Sequence, residues 1–220
     1  MVGAVGADPD GRLLTEALER AGVDTSAVEK VTAPTGTALI VIDSEGENQI
    51  AVAPGANAMV SLDRADFSDG GPVLAQLEIA VDAVLDAARR TTGFFALNAA
   101  PAQALPAELL ERSDLVIVNE SEYELIPELR SAERVAVTYG AGGASMYTQG
   151  VRTAHAPAAK TSVVNSVGAG DAFCAALVLA LASGLDDECS LAAACAVGAA
   201  AVASELSQPE FERLEHYLRN

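Results

Sequence analysis

Tryptophan is absent, and the aromatic fraction is only 4%. The core of a 220-residue chain must therefore be built from Ala, Val and Leu. Bases are scarce too: 13 stand against 31 acids, for a net charge of -18, and Lys30 and Lys160 are the only lysines. Nucleic acids and anionic membranes both select clustered bases, so neither is an expected partner. Phosphate chemistry would have to rely on backbone N–H groups, helix ends and a metal ion. Cys174, Cys189 and Cys195 contain no CxxC and lie in Ala-rich, helix-like stretches, which predicts buried free thiols in a reducing cytoplasm. No basic n-region opens the sequence. The apolar stretches near 172–183 and 191–204 are too short or too Ala-rich for a membrane span. His155 and His216 have no metal-ligand spacing and predict surface positions. The sequence lacks GxxxxGK[ST], GxSxG and HExxH, which sets aside P-loop kinases, elbow-type serine hydrolases and zinc proteases.

What is present alternates. After an apolar run over Met1–Val5, residues Leu13, Leu14, Ala17, Leu18 and Ala21 have helical spacing, with Gly22 as a stop. "TALIVID" and "NQIAVAP", joined by "SEGE", predict a β-hairpin. Strand-like "PVLAQLE", "FFAL", "LVIV", "RVAVTYG", "ASMYTQG" and "VRTAHAP" follow, with helices predicted over 80–91, 106–112 and 120–129. Helices then dominate, over about 168–183, 187–204 and 209–219. This order predicts an α/β fold with a mostly parallel sheet flanked by helices. Such sheets bind ligands at the carboxyl ends of their strands. The polar residues after the apolar runs are Glu78, Asn98, Asn119 with Glu122, Thr138 with Gly140, and Asn165 to Asp171 after "TSVV". Five runs would thus deliver polar groups to one edge.

In "NSVGAGDAFCAAL", the small residues Gly168, Ala169 and Gly170 precede Asp171 at the start of an apolar helix. Such a turn lets an anion approach unpaired N–H groups, and a carboxylate beside it can accept a proton. Asp171 could equally be a helix cap. Asn119 and Glu122 in "VNESEYE" fit phosphate contact and water-mediated Mg²⁺ binding, and also fit a capping box. "TYGAGGA" would let a nucleotide approach Thr138, Gly140 and Gly143, or form a plain turn; it leads into a strand, so it is not a dinucleotide fingerprint. Glu78 would bind a sugar hydroxyl or be a solvated strand end.

Together these segments resemble the ribokinase (PfkB-type) sugar kinase family. "NSVGAGDAFCAAL" is similar to its C-terminal signature, and "PTGTALIVIDSEGENQIAVAPGAN" to its lid hairpin. "QLEI", "LNAAPAQALP", "VNESEYE" and "TYGAGGA" follow the family order. The resemblance implies a single ribokinase-like domain over 1–220, a three-layer sandwich with residues 35–57 as a small lid remnant. It implies transfer of the γ-phosphoryl group of ATP to the 5-hydroxyl of ribose. Asp171 becomes the catalytic base, also touching substrate, and the N–H groups of Gly168, Ala169 and Gly170 the anion hole. Asn119, Thr138, Gly140 and Gly143 bind ATP, Glu122 serves Mg²⁺ through water, and Glu78 faces the sugar. Asn165 stands where the signature usually has an Asp that takes part in a monovalent-cation (K⁺) site. The family's first strand, other lid strands and GGKGAN motif would precede Met1. A partner supplying that edge, a homodimer through the lid, or reduced stability is therefore expected. The other expectations that remain open are a kinase for a nucleoside or another sugar, and a catalytically impaired nucleotide-binding or interaction protein derived from a sugar kinase.

Overall fold

The computed structural model describes residues 1–42 and 48–218. The chain forms two compact units, Met1–Ser68 with Leu77–Arg90, and Asp69–Gln76 with Thr91–Asn220.

The first unit contains β1 (Val2–Gly6), α1 (Pro9–Arg20), β2 (Ala27–Val31), β3 (Thr37–Ile42), β4 (Asn48–Ala53) and α2 (Val81–Arg90). β1 and β2 pair in parallel. β3 and β4 form the expected antiparallel hairpin, with Thr37 opposite Ala53. Its predicted turn "SEGE" lies outside the described residues. α1 starts because Asp8 caps it, accepting the Gly11 N–H at 2.8 Å, and because Pro9 has a preset helical φ. Thr35 locks the same corner. Its hydroxyl donates to Asp8 Oδ1 at 2.6 Å and accepts the Gly6 N–H at 2.9 Å, while its own N–H reaches Asp8 Oδ2 at 2.7 Å. These bonds, the Thr35 hydroxyl first, hold the Asp8 carboxyl below its ordinary value.

α1 departs from expectation in its packing. Gly11 is its buried residue, whereas Leu13 and Leu14 are 60% and 45% exposed. The helix approaches so closely that a Cβ on Gly11 would collide with the Gly6 carbonyl, and this sets which face turns inward. At the end of α2, the Arg90 guanidinium donates to the carbonyls of Leu62 (2.9 Å) and Ala65 (2.7 Å) and lies 5.0 Å from the Phe67 ring centroid.

The second unit is built on a six-stranded sheet. Its strands are β5 (Val73–Gln76), β6 (Phe95–Asn98), β7 (Leu115–Asn119), β8 (Val135–Thr138), β9 (Ala144–Thr148) and β10 (Val151–Ala156), adjacent in chain order. β5 to β8 are parallel, and β9 and β10 are antiparallel. This is the expected α/β architecture with a mostly parallel sheet. α3 (Ala107–Arg112) lies between β6 and β7 in the chain, and α4 (Glu120–Leu125) packs against β7 and β8. α5 (Ala169–Ala182) and α6 (Asp187–Val202) pack on each other, and α6 on β9 and β10. Their core joins Leu115, Ile117, Ala136 and Met146 to Phe173, Leu177, Leu191 and Cys195. Leu177 and Leu191 are fully buried, each contributing roughly 1.5–3 kcal/mol. Alanines elsewhere on α5 and α6 fill the role that missing aromatics leave.

Four expectations need correction. "TSVV" forms no strand: Val163 and Val164 are 72% and 56% exposed, and the N–H groups of Val164 and Asn165 bond the Val202 carbonyl at 2.7 and 3.1 Å. The helix expected over 120–129 ends at Leu125, because Pro127 cannot continue it, and a 3₁₀ segment (Pro127–Ser131) follows. Of the helix expected over 209–219, the described residues form α7 (Leu214–Tyr217), since exposed Glu210, Phe211 and Glu212 give 209–213 no face to bury. Cys174 and Cys195 are buried free thiols, but Cys189 is exposed in the first turn of α6. His155 and His216 are at the surface, as expected.

Candidate active site

Gly168 shapes the centre of the site. It is the N-cap of α5 in the left-handed conformation (φ 80°), and a Cβ there would sit 2.7 Å from the Ser207 carbonyl. Only glycine fits both demands. Asp171 is therefore not the cap; it lies inside the first turn, exposed, where a negative charge suits the helix end. Ala172 N–H returns to the Gly168 carbonyl at 2.9 Å, and Ala169 N–H reaches Ser166 at 3.4 Å. The N–H groups of Gly170 and Asp171 have no acceptor among the described residues, and the space beside Gly170 is open. Val167, Gly168, Asp171, Ser207, Pro209 and Phe211 line a depression at this point.

Asn119 and Thr138 are register partners at the carboxyl ends of β7 and β8. Asn98 ends β6 at the same edge. Asn119 caps α4: its Oδ1 accepts the Glu122 N–H at 2.8 Å, and the Glu122 carboxylate accepts the Asn119 N–H at 2.8 Å. The capping box is real, yet half-burial raises the Glu122 carboxyl, and the Asn119 N–H only partly offsets this. β8 leads to a turn in which Tyr139 N–H bonds the Gly143 carbonyl at 2.8 Å. Gly140 (φ 55°) and Gly143 (φ 87°) both need positive φ, and a Cβ on Gly143 would collide with the Ala156 carbonyl.

The Cys174 thiol is pushed up to about 12, by burial first and then by the carboxylates of Asp171 and Glu122. Unpaired N–H groups beside an exposed carboxylate can hold an anion and accept a proton.

Asn165 is used internally. Its Nδ2 donates to the Glu205 carbonyl and to Ser207 Oγ, both at 3.4 Å, and its Oδ1 accepts the Val167 N–H at 3.0 Å. Glu78 is an exposed residue of the first unit, two positions past the end of β5. Sequence reasoning missed a cluster of Tyr123, Tyr139 and Tyr147. Its one linear trace is that three of the four tyrosines fall between 123 and 147.

In open α/β folds, phosphate-bearing ligands bind where a parallel sheet edge meets a glycine-capped helix start. The model of the pfkB family carbohydrate kinases matches residues 1–213, and the chain belongs to this family. It is similar to the ribokinase of Bacillus subtilis (strain 168), with 34% identity over 210 residues covering 87% of this chain and 70% of that one. Against the ribokinase of Staphylococcus aureus (strain COL), identity is 31% over 214 residues, covering 83% and 68%. The solved structure of Arabidopsis thaliana ribokinase complexed with ribose and ATP superimposes with a TM-score of 0.87 at 27% identity, over 100% of this chain and 81% of that one. Among the described residues no helix is long and apolar enough to cross a membrane.

Proposed function

We propose that the chain is an ATP-dependent kinase that transfers the γ-phosphoryl group to the 5-hydroxyl of ribose. The observation that carries this reading is the first turn of α5, where the N–H groups of Gly170 and Asp171, without an acceptor among the described residues, lie beside the exposed Asp171 carboxylate. The Asp171 carboxylate accepts the proton of the attacking hydroxyl. The hydroxyl oxygen bonds the γ-phosphorus, the bond from that phosphorus to the bridging oxygen breaks, and ADP leaves. The N–H groups of Gly170 and Asp171, on the turn that Gly168, Ala169 and Gly170 form, meet the phosphoryl charge, which suits chemistry dominated by positioning and electrostatics. Asn119, Thr138, Gly140 and Gly143 bind ATP. The acidic chain needs no lysine for this.

Mg²⁺ fits the donors present. It retains several waters and takes one or two carboxylates along with substrate phosphates, so Glu122 would hold it through water. When bound it neutralises phosphate charge. Ribose-dependent release of ADP, compared across a panel of sugars and nucleosides, tests the reading. Turnover with ribose above the other acceptors is expected; ATP binding without turnover on any acceptor would overturn it.

A further inference from the structure

Tyr139 sits between Thr138 and Gly140, at the root of the glycine turn. Its hydroxyl lies 2.8 Å from that of Tyr147 on β9. The Tyr147 ring stacks on Tyr123 of α4, with centroids 5.4 Å apart and planes 30° from parallel. The Arg130 guanidinium lies 5.9 Å from the Tyr123 ring centroid. Tyr123 directly follows Glu122. One unbroken series of side-chain contacts therefore joins the helix carrying Asn119 and Glu122 to the turn carrying Gly140 and Gly143.

Strand register explains how the tyrosines meet. Val137 opposes Ser145 and Val135 opposes Tyr147, so Tyr139, Ser145 and Tyr147 share one face of the β8–β9 pair. Ala136, Ala144 and Met146 share the other face, which belongs to the core with α5 and α6. Ring packing alone would be met by phenylalanine. The paired hydroxyls add a directional bond, and they keep it, because burial and the Tyr147 hydroxyl push the Tyr139 group up to about 12.

We propose that Tyr139 and Tyr147 are positioning residues that pre-order the 140–143 turn for nucleotide and hold it in register with α4. This rests on the assignment of that turn to ATP. A turn with two positive-φ glycines has many conformations, and ordering it upon binding costs conformational entropy. Anchoring its root through Tyr147 and Tyr123 removes part of that cost beforehand.

The test is calorimetric titration of a non-hydrolysable ATP analogue with Mg²⁺ into wild type, Tyr139→Phe, Tyr147→Phe and the double variant. Each single change is expected to raise Kd about fivefold, the scale of one hydrogen bond. The double variant should be no worse than either single, since one bond is lost in each. In turnover, KM for ATP should rise with kcat within about twofold, because binding common to ground and transition states is lost. Hydrogen exchange provides an independent measure: amides 139–143 should exchange faster in the variants, with β8 and β9 still protected. Wild-type binding with unchanged Kd and unchanged exchange in the variants would overturn this inference alone. Additive effects in the double variant would do the same. Absence of nucleotide binding by wild type would overturn the assigned function as well.

Discussion

Asn119 and Glu122 hold each other, each side chain accepting the other's main-chain N–H at 2.8 Å. The helix cap and the proposed ligand contacts therefore reside in the same two groups. They separate in Glu122→Gln, which keeps an acceptor oxygen for the Asn119 N–H but loses the charge. Thermal denaturation should shift little, while turnover falls about 10–100-fold, as for a group that acts on a metal through another ligand. Asn119→Ala loses the cap itself and should cost about 1 kcal/mol of stability. Equal losses of stability and turnover in Glu122→Gln would make the residue a cap only.

The Asn165 amide nitrogen already serves the Glu205 carbonyl and Ser207 Oγ. A neutral amide there lacks the negative charge with which a carboxylate would attract a monovalent cation. Turnover should be unchanged when K⁺ is exchanged for choline at constant ionic strength. Asn165→Asp removes the donor and adds a charge, so it should create K⁺ dependence of at least severalfold. K⁺ activation of the wild type would contradict this.

Thr35 and Asp8 close one corner of the first unit with hydrogen bonds. Thr35→Val leaves the buried Gly6 N–H unpaired and should cost about 1–3 kcal/mol, read from denaturant midpoints. Asp8 also predicts the acid limb. Its folded-state pKa lies below the ordinary 3.8, so the ionised form is favoured by folding. That contribution is present above the unfolded value and disappears as pH falls through the lowered folded value. Asp8→Asn should be less stable than wild type near neutrality, with the gap closing below about pH 4.

The sheet was legible where strands are buried on both faces. "FALN", "LVIVN" and "VAVT" read as apolar runs because parallel central strands contact neighbours above and below. β2 escaped notice because "AVEKV" carries Glu29 and Lys30 and is only half-buried. "TSVV" misled for the opposite reason: its β-branched residues suit a strand, but its Val164 N–H bonds the Val202 carbonyl at the end of α6. Gly168 to Asp171 could be read locally, since glycine, acid and helix start are contiguous. The tyrosine cluster could not, because it depends on β8 pairing with β9 and on where α4 lies. The exposed Leu13 and Leu14 show that helical spacing identifies an apolar face without revealing which side is buried.

Net charge also governs the conditions in which the fold holds. At -18 the acids repel one another, and only 13 bases offset them. Raising NaCl from about 0.05 M to about 1 M shortens the Debye length to about 3 Å and should raise Tm by several degrees. An equal concentration of a neutral osmolyte serves as the control. A flat or falling Tm over the salt range would contradict a dominant role for self-repulsion.

Asp171→Asn tests the central assignment most directly. The substitution keeps the size of the side chain and lies one position beyond the open Gly170, so α5 should retain its cap at Gly168 and nucleotide binding should persist. Ribose-dependent ADP production, measured with Mg²⁺ and saturating ATP, is expected to fall at least about 100-fold, the range for loss of a general base. Turnover equal to wild type in Asp171→Asn would remove Asp171 from the chemistry.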